Sequence, residues 1–145
     1  MKAVMLGWPF WAVLAAVFAA LTAIFAKIGV EQVDSNLATF IRTLVILGIV
    51  ALMVSATGQW RGIGAIQSRT LVFLVLSGLA TGASWLCYFR ALQIGDAARV
   101  APVDKLSVVL VAIFGAAFLG EKLSPANWAG VGLIAVGAVL VALRL

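Results

Sequence analysis

Long apolar runs alternate along this chain with short connections that hold the turn-forming residues and most of the charge. Five runs each approach the ~20 residues a helix needs to cross ~30 Å of hydrocarbon: 8–26, 37–56, 71–93, 100–119 and 126–143. Each lacks the two-residue alternation of a barrel strand and is far longer than one, so a helix is the way to satisfy its backbone in lipid. The pattern predicts an all-α membrane protein, a bundle of five transmembrane helices forming one domain over 1–145. The connections at 29–36, 57–69, 95–99 and 120–125 leave no room for a soluble domain. Met1-Lys2 and the Ala-rich run after it superficially resemble a secretory signal peptide, but the apolar runs that follow make this stretch the first span.

Composition agrees. Hydrophobic residues make up 65% of the chain and charged ones 10%, with a mean hydropathy of +1.21, whereas an ordinary soluble domain is roughly half apolar. A domain of this size has too little interior to hide such an excess, so the lipid bilayer is its solvent. Lys and Arg number 10 against 5 Asp and Glu, but the basic residues lie inside or beside apolar runs and form no patch. Nucleic acid is therefore not an expected partner, and the charge reports on topology. The inventory has no histidine and one cysteine, and it holds no metal-ligand cluster, nucleophile elbow or paired carboxylates. No enzyme, cofactor or metal site is expected. Cys87, in an apolar run, has no second cysteine with which to form a disulfide.

Within the runs, small residues recur at four-residue spacing: Ala12, Ala16 and Ala20 in the first, Gly78 and Gly82 in the third. Such rows let helix backbones approach closely, within the chain or across a subunit interface. Trp8, Trp11 and Trp128 sit at run ends, where an amphipathic ring anchors at headgroup level. Trp85 and Tyr88 lie inside the third run and need a partner for N–H and O–H. They suit either a packed core with one hydrogen bond or the wall of a small-molecule cavity.

Back-and-forth threading places Lys27, Arg42, Arg90, Asp104 and Lys105 in one half of the membrane. With a helix beginning near Leu37, Arg42 lies ~8 Å below the edge of its span. A charge at the centre of a membrane helix costs ~2.5 to 3.5 kcal/mol on insertion scales, so several in one half call for partners or a wet cavity. A polar vestibule between helices meets that need. Asp104 and Lys105 are neighbours, about 100° apart on a helix, and so are expected not to face each other. Arg42 and Arg90 are then the cations available to Asp104. The surplus of positive charge over this carboxylate suggests a cavity able to receive an anionic group; alternatively Asp104 carries a proton for coupling. A plainer reading makes Pro102 the first residue of a helix, Asp104 a first-turn carboxylate facing the dipole, and Arg90 a snorkelling side chain. With an earlier helix start, Pro102 removes a hydrogen bond to Ala98 and kinks the helix, as happens beside transport sites. Glu121 reads as helix-start electrostatics or as a partner for Lys122.

The segment Val100-Ala-Pro-Val-Asp-Lys-Leu-Ser107, then Phe118-Leu-Gly-Glu121, then Trp128-Ala-Gly130 with Gly132, Ile134 and Gly137, resembles the EamA-type unit of the drug/metabolite transporter superfamily. The resemblance covers essentially the whole chain. It implies secondary transport, usually export of small metabolites or amphipathic compounds, through two such units about a central cavity, in a bacterial-type inner membrane. Most relatives fuse two copies, the second inverted because five spans is an odd number. This chain carries one unit and is expected to find its other half as a homodimer or a paired five-helix subunit. The residues expected to line the substrate or coupling cavity are Arg42, Trp85, Tyr88, Arg90, Pro102, Asp104 and Lys105. Gly78, Gly82, Gly130 and Gly137 are expected to serve helix packing. Lys2, Arg61, Arg69 and Lys122 fall on one side and Lys27, Arg90, Arg99 and Arg144 on the other. Loop charges make the amino terminus weakly cytoplasmic, and the near balance suits a protein inserted both ways. Two other readings stand beside this one: an accessory membrane subunit or half of a heteromeric transporter, and a lipid-linked sugar flippase, since small members of the superfamily are similar in size.

Overall fold

The structure is a computed structural model that describes residues 7–143. Lys2 and Arg144, used above to weigh the topology, lie outside the described residues. Among those residues there are helices and connections but no strand. The helices are α1 (Trp8–Gly29), α2 (Ser35–Ala56), α3 (Ser68–Ile94), α4 (Ala97–Asp104), α5 (Ser107–Phe118) and α6 (Pro125–Ala142). With α4 and α5 counted as one broken span over Ala97–Phe118, five stretches are long and apolar enough to cross a membrane. Between 0 and 11% of each span's apolar window is buried inside the chain. The apolar excess therefore does not form an internal core and faces lipid or another protein surface.

The helix starts follow from capping. Asp34 Oδ1 accepts from the backbone N–H of Asn36 at 2.8 Å, satisfying one of the orphan donors of α2. This cap starts α2 two residues before the position expected from hydropathy. Ser124 Oγ accepts from Asn127 N–H at 3.2 Å, and Pro125 occupies the first turn of α6, where its missing N–H costs nothing. The connection expected over 57–69 contains a 3₁₀ turn, Gln59–Ala65. It begins after Gly58, whose φ of +67° suits glycine. Trp60 Nε1 donates to Ser55 Oγ at 2.9 Å, tying this turn back to α2.

The chain forms two compact units. One runs from Phe25 to Gln93 and contains the last turn of α1, then α2, the 3₁₀ turn and α3. Val30 and Leu92 are fully buried here, with Phe89, Ser35 and Thr39 nearly so. Two polar side chains close it: Lys27 Nζ donates to the Leu92 carbonyl at 2.9 Å, and Gln93 Nε2 donates to the Val33 carbonyl at 3.2 Å. A cation on a late helical carbonyl satisfies an orphan acceptor and complements the negative end of the dipole. The other unit joins residues up to Ile24 with those from Ile94 onward. In it α4 and α5 pack on α6, and the Arg99 guanidinium donates to the Ala142 carbonyl at the end of α6.

Candidate functional site

Arg42 is the eighth residue of α2 counting from Ser35, which at 1.5 Å per residue places its Cα ~10 Å along the helix. Its guanidinium carbon lies 3.3 Å from the Trp85 ring centroid and 5.8 Å from that of Phe89. A cation over an indole face is attracted by the ring quadrupole, by as much as ~2 kcal/mol when desolvated. This contact answers part of the ~2.5 to 3.5 kcal/mol that a charge within a span would otherwise cost. Trp85 meets Tyr88 edge-on at 5.5 Å and Phe89 at 5.8 Å. Tyr88 and Phe89 stand three and four residues from Trp85 on α3, about one turn, as the helical period requires. Trp85 and Tyr88 are half-buried. Phe89 did not figure in the sequence reading; its spacing of four residues from Trp85 was the available signal.

Arg90, expected as a cation for Asp104 or as a snorkelling side chain, is exposed and donates from Nη1 to Gln93 Oε1 at 2.7 Å. A neutral acceptor one turn away orders the side chain without cancelling its charge.

The fourth span departs most from expectation. Its helix begins at Ala97, not near Val100, so Pro102 is inside α4 and not at its first position. Asp104 correspondingly ends α4 instead of sitting in a first turn. Its carboxylate therefore lacks the favourable N-terminal dipole that the plainer reading gave it. Proline has no N–H and removes the bond that would reach back to Ala98. Two residues later the ladder tightens: Leu106 N–H bonds the Val103 carbonyl and Val108 N–H the Lys105 carbonyl, both at 3.0 Å and three residues back. These 3₁₀-type bonds separate α4 from α5. Asp104 and Lys105 were expected to point apart, yet Lys105 Nζ lies 3.1 Å from Asp104 Oδ2. The lysine's four-carbon stem bridges the angle between neighbouring positions, and the departure from regular helix at Lys105 helps.

The Phe118-Leu-Gly-Glu121 turn also differs from its sequence reading. Gly120 has a φ of +69° and reverses the chain, and Glu121 N–H returns to the Gly115 carbonyl at 3.1 Å. A Cβ placed on buried Gly115 would come within 2.7 Å of Glu121 Oε2. Glutamate thus folds back over the last turn of α5, where it was expected to serve the start of the last helix or to pair with Lys122, while Ser124 caps α6. At Gly78, Gly82, Gly130 and Gly137 an added Cβ would meet nothing within 4 Å.

Residues 6–143 match the EamA-like transporter family. The chain is 66% identical over 135 residues to an uncharacterized transporter in the cobO 3′ region of a Sinorhizobium species, spanning 93% of this chain and 96% of that protein. It is 29% identical over 85 residues to ArnE of Hamiltonella defensa, named a probable 4-amino-4-deoxy-L-arabinose-phosphoundecaprenol flippase subunit. That match spans 59% of this chain and 75% of the relative. No solved structure matches the chain.

Proposed function

The chain belongs to the EamA-like transporter family, and on that premise we propose that it is a secondary transporter exporting a small metabolite or amphipathic compound across a bacterial-type inner membrane. The observation that carries this reading is Arg42, a charge held inside a span by the face of Trp85. A cation kept there at a solvation cost belongs to a polar path and not to a lipid-facing wall. Arg42, Trp85, Tyr88 and Arg90 are its stations in one unit. In the other unit, taken by itself, Pro102, Asp104 and Lys105 form a broken span and an ion pair, features that suit a helix lining a cavity. The working form is a pair of five-span units, most simply two copies of this chain in opposite orientation, with the open glycine positions of α3 and α6 available for close helix approach.

The test is solute flux in liposomes holding the purified chain alone, across a panel of labelled organic acids, amino acids and amphipathic dyes. Flux above protein-free liposomes that falls with Arg42→Gln at equal protein incorporation supports the proposal. The similarity to a flippase subunit favours a second reading, in which the chain is half of a heteromer that moves a lipid-linked substrate. Flux that appears only after a second five-span subunit is added would favour that reading.

A further inference from the structure

Arg42 combines three features that together define a ligand chemistry. Its guanidinium carbon is 3.3 Å from the Trp85 centroid. At that separation a tilted guanidinium would drive a nitrogen into the ring, so the group lies roughly parallel to the indole and its in-plane N–H donors are not aimed at the ring. The ring occupies one face and leaves the fork of in-plane donors open, the geometry that suits a carboxylate or phosphate. Among the described residues of its unit, no hydrogen bond or ion pair engages this fork. The unit's carboxylates, Glu31 and Asp34, both fall in the connection between α1 and α2, and Asp34 already caps α2. Arg90, on the same helix as Trp85, adds positive charge held by a neutral amide. Beside the fork, half-buried Trp85 and Tyr88 present aromatic surface, while Phe89 is buried against Trp85.

We infer that the solute carries an anionic headgroup, a carboxylate or a phosphate, on an apolar body, and that Arg42 receives the headgroup while the accessible faces of Trp85 and Tyr88 receive the body. The aromatic stack holds the guanidinium in place before the anion arrives, so little side-chain freedom remains to be lost on binding. The inference rests on the transport reading but is tested without flux.

Phe replacements at Trp8, Trp11, Trp60 and Trp128 leave Trp85 as the reporting indole. The full chain so altered, in phosphatidylcholine nanodiscs, is titrated with decyl phosphate, decanol and decyltrimethylammonium while Trp85 emission is followed. Decyl phosphate should give a saturable change at a concentration at least tenfold below either of the others. Arg42→Gln should bring the three within twofold of one another, and Arg42→Lys, which keeps charge without the planar fork, should retain a reduced preference for the anion. Equal response to the three headgroups, or an anion preference that survives Arg42→Gln, overturns the inference. If the Gln variant does not elute as a folded species, Arg42→Lys decides alone: an unreduced anion preference overturns the inference. Phosphatidylglycerol added to the discs separates the sources. Competition with decyl phosphate identifies a bilayer headgroup as the natural anion, and its absence identifies a soluble amphiphile; both support recognition of an anion at Arg42. An anion-selective site in a chain that moves no solute would count against the transport reading alone, and flux indifferent to headgroup charge would count against this inference alone.

Discussion

At the scale of single residues, the contact between Arg42 and Trp85 joins stability to function. Trp85→Ala removes the platform under the guanidinium and the edge contacts to Tyr88 and Phe89. Cation–π attraction and aromatic pairing together predict a loss of about 2 to 3 kcal/mol, read as a lowered unfolding midpoint in detergent, with Trp85→Phe losing less. On the transport reading, neutralising Arg42, Arg90, Asp104 or Lys105 should lower flux more than it lowers expression. Equal loss of both would mean that they serve packing only. Lys122 is exposed in the turn before α6, and Lys122→Gln should leave flux and yield within about twofold of wild type, as is usual for a solvated surface charge. The site was partly legible in the sequence, since a charge inside an apolar run announces itself. Its partner was not: Arg42 and Trp85 lie on different helices, and a single sequence holds no record of how two helices are rotated against each other. Phe89 escaped notice because its one signal, a four-residue spacing from Trp85, is common among phenylalanines in apolar runs.

At the scale of elements, the spans were legible because lipid imposes a length and a composition. The first turns were less so, because Asp34 and Ser124 fix them through hydrogen bonds that hydropathy does not register. The break in the fourth span was anticipated only as one alternative. Nothing in Asp104, Lys105 or Leu106 forbids helix, and Pro102, two residues before the end of α4, is the helix breaker nearest the interruption. Pro102→Ala should restore a bond to the Ala98 carbonyl and favour a continuous helix over Ala97–Phe118. Slower amide exchange at residues 103–108 would confirm this, and a mobile break needed for transport would show as reduced flux. Unchanged exchange would show that the break has another cause. The turn after α5 depends on one backbone conformation: Gly120→Ala forces a side chain into the left-handed region at φ +69°. It should cost about 1 kcal/mol, read as a shifted denaturation midpoint.

At the scale of the whole molecule, five helical stretches are long and apolar enough to cross a membrane, and their largely unburied apolar surface must meet lipid or another protein surface. The near balance of basic residues at the two ends of the spans imposes little orientation. An odd span number with weak bias suits the inverted pair of identical chains proposed above. Its most direct test is the orientation of both termini in cells, using a reporter fused to each end that is active on only one side of the membrane. The account predicts comparable signal for both orientations from a single population of chains. One fixed orientation, amino terminus inside and carboxyl terminus outside, would contradict the antiparallel homodimer.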